Sequence, residues 1–230
     1  MHMTGIRAKA RLETTTEIKR LAREQIASKG AANLSLREIA REMGVASSAL
    51  YRYFASRDQL LTVLIIESYD DIGGMVERAD AKCSRDDLVG RWRAVSQSLR
   101  TWAIANPSDY GLIFGTPVPG YEAPTDTIAP ALRYTNVLLH LLADAQAAGC
   151  KPLVTVPTTM GVSREYKHVR ANLQIKLADE MILAGLAAWA ALFGAISFEL
   201  FGHVDTVFTD PEAHFRALTE MLGTQMLGMK

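Results

Sequence analysis

The sequence is poor in cysteine, and it has no segment that resembles a secretory signal. Its two cysteines, Cys83 and Cys150, match neither a disulfide framework nor a metal-ligand spacing. Two isolated thiols are typical of proteins in a reducing compartment. The N-terminus is charged and lacks an apolar core of the kind found in signal peptides. We therefore expect a cytoplasmic protein.

Long apolar runs are also missing. No uninterrupted run reaches the roughly 18 residues of a membrane span. The nearest candidate, residues 181–202 (MILAGLAAWAALFGAISFELFG), is rich in alanine and glycine, contains Glu199 and lacks basic flanks. These features favour a buried helix, so we expect no membrane partner.

The common catalytic motifs are absent as well. The chain has no H-E-x-x-H, G-x-S-x-G or P-loop pattern. Residues 165–168 (EYKH) form an E-x-x-H, a spacing used in di-iron bundles, but those sites need a second such motif and two further carboxylates. The chain has no second E-x-x-H, so we expect neither an enzyme nor a metal or other cofactor.

The net charge of zero conceals an asymmetry along the chain. Residues 1–60 contain 11 Lys/Arg against 6 Asp/Glu, and residues 61–230 contain 14 against 19. A basic N-terminal segment on a mildly acidic body indicates a polyanionic partner at one end only.

The hydrophobic pattern is helical almost throughout, so the expected fold is all-α. A first helix is predicted over residues 14–29, and Gly30 ends it. A second begins at Ser35, which forms an S-x-x-E capping box with Glu38. Further helices are predicted at 46–54, from 56 onward past Gly73-Gly74 or with a kink there, and at 86–105, 109–115, 129–148, 165–202 and 210–227. Two Gly/Pro-rich stretches, 115–130 and 149–163, are predicted loops that border a binding site.

The third predicted helix has unlike faces. Ala46, Ala49 and Leu50 point inward, and Val45 is placed to pack in the turn before them. Ser47, Ser48, Tyr51 and Arg52 share the outer side, because positions three and four apart lie together on a helix. Two short helices joined at Gly44, the second with a polar outer face, form a helix-turn-helix with a recognition helix.

Residues 34–61 (LSLREIAREMGVASSALYRYFASRDQLL) combine a capped helix, a small turn, an L-Y-x-Y-F segment and a basic residue before the next helix. This arrangement resembles the tetracycline-repressor (TetR) family of bacterial transcription regulators. The resemblance implies a helix-turn-helix DNA-binding domain at residues 1–56. A long helix would join it to a larger helical ligand-binding and dimerisation domain at residues 57–230.

The resemblance also implies a set of DNA-binding residues. Ser47 and Ser48 match the base-facing start of the recognition helix, and Tyr51 and Tyr53 match phosphate-contacting positions. Arg52 is the candidate for a guanine contact, because a guanidinium can donate two hydrogen bonds to one base. The complete set is Ser35, Ser47, Ser48, Tyr51, Arg52, Tyr53 and Arg57.

Several polar residues near this motif have double interpretations. Arg57 stands where relatives commonly have lysine, and either cation can neutralise a phosphate. Arg7 and Arg11, with Lys9 between them, could form a minor-groove or phosphate arm, but we expect a disordered, solvated tail. Ser35 is expected to cap its helix and to reach a phosphate as well.

The rest of the chain resembles a C-terminal domain type common in actinobacterial regulators, on the strength of residues 106–121 and 189–203. That type has a Trp followed by His-Gly, where this chain has Trp189 followed by Phe193-Gly194. The phenyl ring removes a titratable donor, so a polar ligand contact at this position is not expected. The apolar residues on or near the helices expected to line a cavity together indicate an apolar or aromatic ligand, with His140 as a polar handle. The candidate ligand-binding residues are Trp92, Trp102, Tyr110, Phe114, Leu138, His140, Leu142, Trp189 and Phe193.

The expected mechanism follows from twofold symmetry. The last two predicted helices would pair with those of a second copy, and the homodimer would bind a palindromic DNA operator. The resemblance implies a repressor, because most members of the family repress. A small molecule would then release it. The alternative is a helix-turn-helix protein that serves as a protein-interaction module without specific DNA binding. The set of Tyr51, Arg52, Tyr53 and Arg57 argues against that alternative, because a polyanion accounts for all four.

Overall fold

The structure is a computed structural model that describes residues 3–153 and 160–230. Within these residues the chain forms ten α-helices and no strand, which confirms the all-α prediction. In chain order they are α1 (Met3–Lys29), α2 (Leu36–Glu42), α3 (Ser47–Leu50), α4 (Arg57–Ala81), α5 (Leu88–Ala105), α6 (Pro107–Phe114), α7 (Ile128–Ala147), α8 (Met160–Leu173), α9 (Asp179–Leu200) and α10 (Pro211–Met221). Short 3₁₀ turns lie at Ala31–Asn33 and Thr125–Thr127, and a π turn lies at Leu222–Met226.

The chain divides into two compact units. The first comprises Met1–Asp70 and Asn106–Pro130, and the second comprises Asp71–Ala105 and Ala131–Lys230. The unit that contains the helix-turn-helix is therefore larger than residues 1–56, because it includes most of α4 and all of α6. The functional boundary at residue 56 stays a prediction.

The first unit is built around one hydrophobic core. Helices α1 to α3 and the first turns of α4 supply it, with Ile18, Ile39 and Leu60 fully buried. Helix α6 packs against α1. Asp109 on α6 accepts hydrogen bonds from Arg23 Nε of α1 (3.1 Å) and from Ser68 Oγ of α4 (3.0 Å). A polar network thus joins α1, α4 and α6.

In the second unit, α5 packs against α9 and α10. Trp92 is buried there and donates from Nε1 to the carbonyl of Thr219 (2.8 Å). Helix α9 approaches α7 closely at Gly185, where an added Cβ would overlap the side chain of Leu142. Any larger residue at position 185 would therefore require the side chain of Leu142 to move.

Side-chain caps mark the starts of two of the predicted helices. Ser56 Oγ accepts from the N–H of Gln59 (3.0 Å) at the start of α4. Asp210 Oδ1 accepts from the N–H of Ala213 (2.9 Å), and Pro211 opens α10. Helix α4 continues through Gly73-Gly74 to Ala81.

Several predicted helix boundaries are wrong. Helix α1 begins at Met3 instead of near residue 14, and the last α-helix ends at Met221, where the π turn follows. The single helix expected at 165–202 is two helices, because Gln174 adopts a φ of 53° after α8. Arg170 Nη1 bridges the break by donating to Leu177 O (3.0 Å) and Asp179 Oδ1 (2.6 Å). Part of the loop expected at 149–163, residues 154–159, lies outside the described residues.

Candidate nucleic-acid interface

The turn between α2 and α3 is closed by backbone hydrogen bonds. Gly44 has a φ of 67°, which a residue with a side chain rarely adopts, and the N–H of Val45 donates to Ala40 O (3.0 Å). Val45 itself is 41% exposed, so the expectation that it packs in the turn is wrong. The inward position predicted for Ala46 is also wrong, since this residue is exposed.

Helix α3 is a single turn and is shorter than the predicted 46–54. The chain continues in hydrogen-bonded turns beyond it. The N–H groups of Tyr53 and Phe54 donate to Leu50 O at 2.8 and 3.0 Å. We refer to residues 47–53 as the recognition segment. Leu50 anchors it in the core of the first unit, because only 1% of this residue is exposed.

The outer face of the recognition segment is polar and open to solvent. Ser48 and Arg52 are exposed, Tyr51 is 47% exposed, and Ser47 is half-buried. Short hydroxyls allow close approach to a base edge, and guanidinium and phenol groups reach further. The structure thus gathers four of the predicted side chains on one surface.

Tyr53 lies between the core and this surface. Its ring is half-buried, and the guanidinium carbon of Arg11 on α1 lies 5.5 Å from its centroid. That distance is within the range of a cation–π contact. Tyr53 therefore has a protein neighbour on one ring face, a feature that sequence patterns do not predict.

Ser35 caps α2 as expected, but the capping box is only half formed. Ser35 Oγ accepts from the N–H of Glu38 (3.4 Å). The N–H of Ser35 donates to Gln25 Oε1 of α1 (3.1 Å) and not to Glu38. The carboxylate of Glu38 pairs instead with Lys29 Nζ (2.6 Å), and this hydrogen bond lowers the pKa of Glu38.

Arg57 is turned toward the protein. Its Nη2 donates to the carbonyls of Ala31 and Ala32, at 3.1 Å each, and its Nη1 lies 3.6 Å from Asp58 Oδ1. The contacts of this guanidinium therefore tie the start of α4 to the turn before α2. A phosphate contact from Arg57 stays a prediction.

Two exposed arginines on α2 were missed by the sequence interpretation. Arg37 and Arg41 follow the Ser35 cap and are open to solvent. The signal was available, since both cations belong to the basic first 60 residues. They lie in the helix-turn-helix, where cations favour phosphates.

The predicted ligand-binding residues do not form one group. Tyr110 and Phe114 belong to the first unit, and the other seven belong to the second. Trp102 is buried, with its Nε1 donating to Asp71 Oδ2 (2.9 Å), and Leu138 and Leu142 are core residues. His140 is exposed, and its Nδ1 lies 2.7 Å from Asn136 O on the same helix. It points away from the core of its unit.

In the first unit, the ring centroids of Tyr110 and Phe114 lie 5.0 Å apart. In the second unit, two of the predicted residues belong to an aromatic cluster. The ring centroids of Trp189 and Phe193 lie 5.8 Å apart, and Tyr134 of α7 lies 5.4 and 6.0 Å from them. Trp189 and Phe193 are half-buried, whereas Tyr134 is buried. Tyr134 was missed because its partners lie more than 50 residues further along the chain.

Two cavities are lined by residues outside the predicted set. In the first unit, a cavity of about 730 Å³ lies between the end of α1, near Gly30, and the segment 107–119. In the second unit, an apolar groove of about 510 Å³ runs between α9 and α10, lined by Gly194, Phe198 and Phe215 among others. Neither contains any of the nine predicted residues.

The small residues of α9 divide between two roles. Ala184, Gly185 and Ala188 are buried within their own unit. Ala191, Gly194 and Ala195 line the groove between α9 and α10, next to Phe198, which is 55% exposed. We refer to this as the α9/α10 groove. It presents an apolar surface on the two helices expected to pair in a dimer.

Two further observations concern the functions expected to be absent. In the described ranges, α9 alone is long and apolar enough to cross a membrane by length and composition, and part of it is buried in its unit. Glu165 and His168 are both exposed on α8. No group of three His, Cys, Asp or Glu that could hold a metal ion occurs in residues 3–153 and 160–230.

Comparison with known families gives two matches. The family described as "Bacterial regulatory proteins, tetR family" matches residues 18–64, and "Tetracyclin repressor-like, C-terminal domain" matches residues 92–222. The first spans the helix-turn-helix, and the second spans most of the remaining chain.

Individual proteins are similar over nearly the whole length. The HTH-type transcriptional regulator Rv1816 of Mycobacterium tuberculosis is 37% identical over 225 residues, which cover 95% of this chain and 94% of the relative. The crystal structure of the regulatory protein SCO4313 has a TM-score of 0.76 at 35% identity, over 94% of this chain and 97% of that one. A tetR family transcription regulator from Shewanella sp. PV-4 has the same fold, with a TM-score of 0.59 at 20% identity over 90% and 94%.

Proposed function

The chain belongs to the TetR family of bacterial transcription regulators, and from this premise we propose that it is a ligand-released repressor that binds a palindromic operator as a homodimer. Membership establishes a DNA-binding regulator and not an enzyme. The proposal adds the operator symmetry, the repressing role and a small apolar or aromatic ligand. A regulator of chromosomal DNA acts in the cytoplasm, on the nucleoid when bound.

The exposed face of the recognition segment carries the proposal. Ser48, Tyr51 and Arg52 are open to solvent on a turn whose other side is fixed by the buried Leu50. A rigid backing and an exposed set of donors suit the reading of base edges in a major groove. Ser47 and Tyr53 extend the same surface.

Dimerisation and ligand release are supported by features of the second unit. The α9/α10 groove offers an apolar surface for a second copy. The cluster of Tyr134, Trp189 and Phe193 offers aromatic faces to an apolar ligand. A ligand releases the protein only if it binds the DNA-free conformation more tightly, and such couplings are typically about 1–3 kcal/mol.

DNA binding by the purified protein tests the proposal. Binding to a palindrome from its own upstream DNA is measured across a salt series, with a scrambled duplex alongside. Removal of one bidentate base contact costs about 1–3 kcal/mol, so Arg52→Ala should bind the palindrome about ten times or more weakly. Tyr51→Ala should weaken binding to both the palindrome and the scrambled duplex. Arg164→Ala, which removes an exposed arginine of α8, should bind as the wild type does.

The outcomes separate the two functions. Specific binding that falls steeply with salt, and that is weakened in the Tyr51 and Arg52 variants, supports a DNA-reading repressor. Binding no tighter than to scrambled DNA, unchanged in both variants, would favour the protein-interaction module. Apolar and aromatic compounds are then added to the complex, and failure of every compound to dissociate it would contradict ligand release.

A further inference from the structure

The first turns of α1 extend beyond the core of the first unit. Residues 7–13 are all exposed, and the first fully buried residue of the helix is Ile18. Between Met3 and Leu12 the chain has three cations and no carboxylate, because Glu13 is the first acidic residue. A helical segment that buries nothing contributes little to the core, so its basic side chains need another explanation. The disordered tail expected from the sequence is wrong, since this segment is helical.

The same turns lie beside the recognition segment. The guanidinium carbon of Arg11 is 5.5 Å from the centroid of the Tyr53 ring. Arg7 precedes Arg11 by four residues, so the two share one face of α1. Lys9 lies about 200° around the helix from Arg7 at 100° per residue, and its Nζ is 3.9 Å from Glu13 Oε1. Arg11 therefore lies beside the recognition segment, Arg7 lies on the same face of α1, and Lys9 lies on the opposite side of the helix.

We infer that Arg7 and Arg11 form a second DNA-binding element, which contacts the phosphates that flank each half-site. The inference rests on the proposed function, because it places this element next to the surface that reads the operator. The guanidinium carbon of Arg11 lies 5.5 Å from the centroid of the Tyr53 ring, so this contact restricts where the Arg11 side chain can lie. A guanidinium fork held in this way suits two phosphate oxygens.

The charge and position of Arg7 and Arg11 favour DNA over an acidic protein as the partner that they contact. The exposed cations of α2 and of the recognition segment belong to the same unit, so the α1 arginines extend a surface that already faces a polyanion. Phosphate contacts are independent of base sequence. The element should therefore increase affinity without changing the preferred bases.

The test uses the full-length protein and three single variants, Arg7→Gln, Arg11→Gln and Lys9→Gln, each of which removes one charge from exposed turns. Binding is measured across a salt series to an operator duplex with about one helical turn of flanking DNA on each side. It is also measured to one that ends at the half-sites, and to a scrambled duplex of the longer length.

Each arginine variant should bind the long operator and the long scrambled duplex more weakly by a similar factor. The slope of log affinity against log salt is negative, and it becomes shallower by about 0.9 for each phosphate that the protein no longer neutralises. In a dimer with two such elements, one substitution should make it shallower by about 1.8. On the duplex that ends at the half-sites, both variants should bind as the wild type does. Lys9→Gln should keep the wild-type slope on all three.

Other outcomes overturn the inference. Arginine variants with wild-type slopes, or a Lys9→Gln variant that is weakened equally, would show that the face toward Tyr53 has no special role. A reduced preference for the operator over the scrambled duplex would indicate base contacts instead. If the wild type shows no such preference, the proposed function fails, and the slopes on the scrambled duplex still decide whether these arginines contact phosphates.

Discussion

Arg91 shows how a single buried charge is held in the second unit. The residue is fully buried, and it donates to Asp80 Oδ1 from Nε (2.8 Å) and to Asp144 Oδ2 from Nη1 (2.8 Å). Arg85 donates to the same two carboxylates. Burial alone would raise the pKa of Asp80, but the hydrogen bonds from Arg91 and Arg85 together lower it.

The lowered pKa makes stability depend on pH. The folded pKa of Asp80 lies below its unfolded value of about 4. The contribution of Asp80 to the free energy of unfolding is therefore complete above pH 4, and it is lost as pH falls through the folded pKa. Asp80→Asn should lower the free energy of unfolding at pH 7 by about 3 kcal/mol, since Arg91 loses a buried partner. Its stability should also vary less with pH below 4.

Urea unfolding at pH 7 and at a series of lower pH values measures both effects. Glu220→Gln is the control, because it breaks an exposed pair with Arg93 (2.7 Å) and should change stability far less. Equal destabilisation of the two variants would contradict the role given to the buried cluster.

At the scale of single elements, the distance to the neighbouring helix decides which helical glycines stability depends on. An added Cβ at Gly185 of α9 would overlap Leu142 of α7, whereas one at Gly111 of α6 would meet nothing within 4 Å. Gly185→Ala should lower the free energy of unfolding by about 1–3 kcal/mol through overpacking. Gly111→Ala should raise it by about 0.5–1 kcal/mol, because alanine favours the helix.

Thermal or urea unfolding of the two variants compares identical chemical changes at two sites. A further Leu142→Val change should recover part of the stability that Gly185→Ala removes, by making room for the new methyl group. If Gly185→Ala is as stable as the wild type, the close approach of α7 and α9 is wrong.

Elements were predictable where their causes lie within a few residues of each other. The caps at Ser56 and Asp210, and the stop at Gly30, depend on local side chains and backbone. The break at Gln174 carried no Gly or Pro signal, and Arg170 bridges it from one turn earlier along α8. The early start of α1 was missed because residues 7–13 are good helix formers but have no buried face.

The candidate site was likewise predictable only where the cause lies close by in the sequence. The exposure of Ser48, Tyr51 and Arg52 follows from helical spacing around the buried Leu50. The inward turn of Arg57 does not, because the carbonyls of Ala31 and Ala32 that receive its hydrogen bonds lie 25 residues or more away. Aromatic residues of the second unit were recognised as apolar, but their assignment to core or cluster required the packing of α7 against α9.

For the whole molecule, the α9/α10 groove determines the proposed assembly. Phe198 lines it and is more than half exposed, although an exposed phenyl ring is unfavourable in water. Phe198→Glu should place a charge in the contact between copies and weaken the dimer by tenfold or more, about 1.4 kcal/mol. Binding to the palindrome should fall with it, because a monomer contacts one half-site.

Sedimentation over a range of protein concentrations measures the dimer. Ile128→Glu is the matched control, since Ile128 is also 55% exposed but lies at the start of α7 in the first unit. If the Phe198→Glu protein remains dimeric, the contact between copies does not lie in the α9/α10 groove.

The hydrogen bonds of Arg57 have a mechanical consequence. The guanidinium fastens the first turn of α4 to the backbone at Ala31 and Ala32, three residues before the Ser35 cap of α2. A rotation of this end of α4 therefore pulls directly on the stretch of backbone that leads into the helix-turn-helix. We therefore expect that even a small rotation at this end of α4 would displace the recognition segment.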